Sequence, residues 1–195
     1  MQREILVGLL LGDAHLETQN YGRTYRMKVE QSIIHREYVE HLYQSFRKWV
    51  LTSPKIKSVA GNKQLTYNYR LQTVGHGAFR FYGQQFYCEK QKCVPRLINR
   101  LLTPRGIAYW FMDDGSMKSK ESKGIIFNTQ GYKKREVESL VAVLMTKFGL
   151  KAQTRRQKEG YQIYISGDSY ERFCEIVKPY LIEAMHYKLP PPRLT

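Results

Sequence analysis

The order of apolar and polar positions takes this chain twice through one plan. Leu6 to Ala14, LVGLLLGDA, is an apolar run that stops at Asp13; Ile107 to Gly115, IAYWFMDDG, stops the same way at Asp114, a hundred and one residues later. Gly8 and Gly12, four apart, fall on one helical face and leave a stripe where another backbone can press. Each run predicts a buried helix, with Ala108 the small residue expected on the opposing surface. After Asp13, HLETQNYGRTYRMKVEQS predicts a hairpin turning at Asn20-Tyr21-Gly22, and Tyr25, Met27 and Val29 alternate with Arg26, Lys28 and Glu30. His35 to Val50 places Tyr38, Val39, Leu42, Phe46, Trp49 and Val50 at helical spacing. Strands follow at Ile56 to Val59 and Leu65 to Val74 around Gly61-Asn62, then a short helix over Phe79 to Tyr87.

From Pro104, a helix-start signal, the order repeats. Lys118 to Thr129 has the composition of a hairpin with a charged tip, and Lys133 to Phe148 that of an amphipathic helix. Strands at Gln153 to Gln157 and Tyr161 to Ser166 flank Glu159-Gly160, and Ser169 to Val177 is helical. Each half reads αββαββα: an N-terminal half over 1–97, a linker over 98–105 and a C-terminal half over 106–195. A period near a hundred residues is too long for a solenoid and suggests duplication of a half-domain that once paired with itself. KCVP at Lys92 to Pro95 closes the first half and YKLP at Tyr187 to Pro190 the second, so each half supplies one carboxylate early and one lysine, Lys92 or Lys188, late. Gln31 and Gln130 recur in the same way, each just ahead of an amphipathic helix.

Composition adds a partner. The 195 residues hold 32 Lys and Arg against 17 Asp and Glu, a net charge of +15, spread as +8 over residues 1–97 and +7 over 98–195. A basic surface on both halves predicts a polyanion. Cys88, Cys93 and Cys174 are odd in number and off zinc spacing, which predicts no disulfide framework and a reducing compartment. The apolar run after Arg3 is too short for a signal peptide and lacks a cleavage site, and no run approaches membrane-spanning length.

The chemistry follows from the acids. A helix C-terminus carries partial negative charge, so a carboxylate there, repeated in both halves, calls for a metal ion. Phosphodiester hydrolysis needs an activated water and positive charge on the phosphoryl oxygens, and Mg²⁺ supplies both from an oxygen donor set. Asp13 and Asp114 are the candidate side-chain ligands, and the freed last-turn carbonyls, at Gly12 and Asp113, are further ones. Lys92 and Lys188 could stabilise developing charge or polarise the attacking water. Arg26, Lys28 and Arg70 in the first half, and Lys118, Lys120, Lys123, Arg155 and Lys158 in the second, lie on or beside predicted strands, where a two-stranded ribbon can enter the major groove.

LVGLLLGDAHLE, LTPRGIAYWFMDDGS, FNTQGYKKREVESL and VKPYLIEAMHYKLP, in this order and spacing, resemble the single-chain, two-motif LAGLIDADG homing endonucleases, most of all the intron-encoded I-SceI type. The resemblance covers nearly the whole chain. It implies an α/β (α+β) fold of two pseudosymmetric αββαββα halves, a central pair of packed motif helices, and curved antiparallel sheets forming a DNA-binding saddle. It implies metal-binding roles for Asp13 and Asp114, an active-centre role for Lys92 and Lys188, and water-ordering roles for Gln31 and Gln130. Tyr109 and Asp113 depart from the small residues of the motif, and Leu11 and Met112 from its acid. The expected activity is Mg²⁺-dependent double-strand cleavage, with Mn²⁺ as a substitute, at a long asymmetric DNA site by a monomer. The alternative is a non-cleaving maturase acting on its own intron RNA, or a DNA-binding regulator. An organelle, or a prokaryotic or phage cytoplasm, is the expected compartment.

Overall fold

A computed structural model describes residues 1–60, 65–119 and 122–189. The predicted turn at Gly61-Asn62, Lys120 and Pro190 lie outside the described residues. In chain order the elements are α1 (Gln2–Leu11), β1 (His15–Glu17), β2 (Arg26–Ser32), α2 (Arg36–Ser45), β3 (Lys55–Ala60), β4 (Leu65–Gln72), α3 (Arg80–Phe86), β5 (Tyr87–Cys88), β6 (Gln91–Lys92), α4 (Ile98–Leu101), α5 (Pro104–Asp114), β7 (Gly115–Met117), β8 (Ile125–Phe127), α6 (Lys134–Phe148), β9 (Ala152–Gln157), β10 (Gly160–Ile165) and α7 (Tyr170–Val177). The chain packs into two compact units. One is Asp13–Gln84 with Gln2; the other comprises Met1, Arg3–Gly12 and the described residues from Gln85 onward. The segment expected to link two halves, 98–105, holds α4 and Thr103, whose hydroxyl accepts from the Gly106 N–H and caps α5 ahead of Pro104.

In the first unit an antiparallel sheet has the order β1-β2-β4-β3. Alternation decides its faces: Met27, Val29 and Leu71 are fully buried with Tyr38, Val39 and Leu42 of α2, while Arg26, Lys28, Glu30 and Arg70 take the other face. The buried Thr73 hydroxyl accepts from the Met27 N–H at 2.9 Å, satisfying a donor that the ladder leaves free. Tyr21 and Gly22 turn the first hairpin with φ of 55° and 81°. The predicted helix to Val50 stops being α-helical at Ser45 and tightens to a 3₁₀ turn over Arg47–Trp49.

The second unit repeats the strand order as β7-β8-β10-β9. Phe127 stacks with Trp110 at 4.2 Å and meets Phe111 and Phe173 edge-on, tying sheet, motif helix and α7 into one aromatic core. α6 ends at Gly149, whose φ of 69° supplies the left-handed cap. The first strand of this sheet, β7, begins directly at the end of α5 and precedes the charged tip, so the hairpin opens earlier than its composition predicts.

Candidate active site and nucleic-acid face

Both motif helices carry an apolar surface all round: Ile5 to Leu11 and Gly106 to Met112 are buried without a break. α1 belongs to the same unit as α5, and backbone approach explains their fit. A Cβ on Gly8 would collide with the Gly106 carbonyl oxygen and the Tyr109 Cβ, and one on Gly12 would collide with the Asp113 side chain. Gly106, which the hydrophobic pattern does not single out, therefore lies opposite Gly8. Ala108 is fully buried in α5. Gly12 caps α1 by donating to the Gly8 carbonyl at 3.0 Å, and Asp13 follows at once.

Two lysines return to these helix ends. Lys92 sits on β6, paired with Tyr87 across a two-residue turn in which Glu89 and Lys90 both have positive φ, 52° and 68°. Its ammonium donates to the Gly12 carbonyl. Lys188 ends a 3₁₀ turn over Glu183–Lys188 and donates to the carbonyls of Met112 and, at 2.9 Å, Asp113. In both cases the acceptor includes the carbonyl one residue before the acid. A third group was not expected: the Tyr132 hydroxyl donates to the Leu11 carbonyl at 2.9 Å. Burial, and next the charge of Asp114, push the Tyr132 phenol upward in pKa, so it remains a donor. The trace of Tyr132 in the sequence is its place two residues after the recurring Gln130.

A cavity of about 310 Å³ lies over this end of α1, lined by Gly12, Lys92, Asp114, Gln130 and Tyr132 among others. In the first unit Gln31 donates from its side-chain amide to the Asp13 carboxylate at 2.7 Å. Among the described residues no three His, Cys, Asp or Glu side chains cluster as metal ligands. The available donors are single carboxylates and backbone carbonyls. This suits Mg²⁺, which keeps several waters and takes substrate phosphate oxygens rather than a full protein cage.

The polar faces of the two sheets hold most of the predicted basic residues. Register places Glu17 opposite Arg26, Lys28 opposite Gln72, and Glu30 opposite Arg70. It also brings in Lys55, opposite Arg70, and Lys57, opposite Asn68; a strand predicted to start at Ile56 passes over the first of these. In the second sheet Lys118 and Arg155 lie over the Tyr164 ring at 5.5 and 5.2 Å. Lys158 is exposed at the β9–β10 turn. Lys123 lies 4.3 Å over the Tyr170 ring and pairs with Glu171 on α7, away from the strands.

Two sheets of one strand order, each following in the chain a motif helix whose last carbonyls accept from a lysine, define a two-motif chain of internally repeated plan. The family model described as LAGLIDADG DNA endonuclease matches residues 3–173, and the chain belongs to that family. It is 36% identical over 97% of its length to a probable intron-encoded endonuclease 1 of Wickerhamomyces canadensis, of which it covers 84%. A cytochrome b mRNA maturase bI2 of Debaryomyces hansenii is 29% identical over 95% of the chain and 72% of that protein. The solved structure of the homing endonuclease I-WcaI bound to its DNA recognition sequence superposes with a TM-score of 0.93 at 31% identity, covering 98% of this chain and 87% of that one. The class is thus a site-specific DNA endonuclease with two pseudosymmetric domains. Among the described residues no helix is long and apolar enough to cross a membrane.

Proposed function

We propose that this protein is a divalent-metal-dependent homing endonuclease that hydrolyses both strands of a long, asymmetric duplex DNA site, acting as a monomer. The observation that carries the reading is the repeated pairing of a lysine with the carbonyl just ahead of each acid, Lys92 on Gly12 before Asp13 and Lys188 on Asp113 before Asp114. Asp13 and Asp114 would hold Mg²⁺, or Mn²⁺ in its place, through their carboxylates; the carbonyls of Gly12 and Asp113 accept from Lys92 and Lys188 and would have only a second lone pair to offer the ion. Bound there, the ion supplies positive charge to the phosphoryl oxygens and lowers the pKa of a bound water. Lys92 and Lys188 add charge where it develops on the phosphate. Gln31 fixes the orientation of the Asp13 carboxylate, and Gln130 is available to order water beside Asp114.

Arg26, Lys28, Arg70, Lys118 and Arg155 would line the DNA, joined by Lys55 and Lys57, because a two-stranded antiparallel ribbon with a basic polar face fits the major groove. Phosphate contacts give affinity, and only some of these side chains read bases. One chain already holds both motif helices and both acids, and the strands YRMKVEQ and KGIIFNTQ differ almost throughout, so the site lacks palindromy.

Asp13→Asn and Asp114→Asn test the reading. Each should abolish linearisation of a plasmid carrying the protein's recognition site while DNA affinity is kept or rises, and Asp113→Asn should cost far less. Wild-type cleavage by either single variant would overturn the assignment. Kinship with an mRNA maturase supports a second reading, RNA binding without cleavage. It predicts intron RNA bound more tightly than any duplex, and no change of function in either aspartate variant.

A further inference from the structure

A carboxylate stands on the polar face of the first sheet where a DNA-binding surface would least tolerate one. Glu17 lies four residues after Asp13; four residues after Asp114 stands Lys118, so the charge is reversed between matched places. On a surface facing phosphates Glu17 costs affinity. Its return is visible in what it holds. Arg26 Nε donates to Glu17 Oε2 at 3.0 Å, and the Lys28 ammonium pairs with the same oxygen. Lys28 first and then Arg26 hold the Glu17 carboxyl down to about 2, so it stays ionised at any working pH. Held by Nε, the guanidinium has both terminal nitrogens without a partner among the described residues. The Arg26 side chain is 24% exposed, enough for those nitrogens to be reached and too little for them to swing freely. In the second sheet Lys118 and Arg155 share the face of Tyr164 instead, a contact that fixes no fork.

We propose that Glu17 is a positioning residue for sequence specificity: by clamping Arg26 at Nε it presents the two terminal nitrogens as a fixed fork to the O6 and N7 of one guanine in the major groove. The inference rests on the reading of the polar sheet faces as the DNA surface. An exposed ion pair alone would add little stability. A guanidinium fixed before binding loses less freedom on docking, and the bidentate match to guanine is the commonest specific contact to a base.

The test is selection of binding sites from a randomised duplex library by the full chain without divalent metal, so that no strand is cut. Wild type should select a site containing a G·C pair that Arg26→Ala and Arg26→Lys both release. Glu17→Gln, similar in size, should lose on the order of tenfold or more discrimination at that one pair, with affinity for the whole library unchanged or higher. Unchanged preference in Glu17→Gln would overturn the proposal, as would loss spread evenly over the site. Loss at a pair that Arg26→Ala leaves intact would mean that Glu17 itself touches a base, and would also overturn it. Cleavage in Mg²⁺ is scored separately. A chain that selects the G·C pair through Arg26 and Glu17 but never cuts would refute the endonuclease reading and leave this one standing. A chain that selects no duplex sequence would refute both.

Discussion

The ends of α1 and α5 solve the same problem with different parts. At α5 one ammonium, Lys188, serves two carbonyls, Met112 and Asp113; at α1 the work is divided, Lys92 taking Gly12 and the Tyr132 phenol taking Leu11. The freed carbonyls of a last helical turn must find donors wherever water is excluded. Both ends carry a lysine, but at α1 one of the two carbonyls accepts from a neutral, buried hydroxyl instead. Symmetry of position has been kept while symmetry of charge has been relaxed.

Of the groups that serve these carbonyls, the lysines should give the largest effects when removed. Lys92→Met and Lys188→Met are each expected to slow cleavage by roughly 10²- to 10³-fold, the usual loss when one preorganised donor to developing charge is removed. Their melting temperatures should then part, Lys188→Met falling further because it strips two carbonyls. Equal melting temperatures would break the comparison. Gly8→Ala comes next, with a loss of about 1–3 kcal/mol from overpacking, since its Cβ meets main chain that cannot yield. Gly106→Ala should cost less, because there the nearest atoms stand at 3.3 Å. Denaturant titration of the pair decides it.

Tyr132→Phe sharpens the contrast on a smaller scale. Leaving the Leu11 carbonyl unpaired should cost about 1–3 kcal/mol, and nicked plasmid should accumulate with the break always in the same strand. Nicks divided evenly between strands would show that the hydroxyl does not serve one helix end alone. Smallest is the pH response of the first sheet. The Glu17 carboxyl is depressed from 4.5 to about 2, so its stabilisation is complete above about pH 4.5 and disappears as pH falls towards 2. Being a partly exposed pair, it is worth less than about 1 kcal/mol. The melting-temperature gap between wild type and Glu17→Gln should begin to narrow below about pH 4.5 and close only as pH approaches 2.

The sequence made the repeating elements readable because each had a period: apolar alternation in β2, helical spacing in α2 and α6, and abrupt acid ends on the motif helices. Short pieces left no period. β7 has only three residues, and its Gly-Ser-Met carries no alternation. The β5–β6 hairpin turns on Glu-Lys rather than Asn-Gly, so the strongest hairpin signal is missing where Lys92 is presented. Gly106 and Tyr132 were hidden for another reason. Their meaning lies across the packing, against Gly8 and Leu11, at sequence distances that no local pattern spans. Lys123 shows the converse: a basic residue beside a strand is drawn off by a tyrosine ring and a glutamate on α7.

The turn at Glu89–Lys90 leaves the hairpin no slack. Two non-glycine residues occupy left-handed backbone, each at a cost on the order of 1 kcal/mol, and two paired residues on either side form the whole ladder. Side chains alternate with every residue, so a one-residue slip in this pairing would turn Lys92 to the opposite face. Any change between Cys88 and Gln91 is therefore constrained to keep Tyr87 opposite Lys92, and that register should outlast the identity of the turn itself.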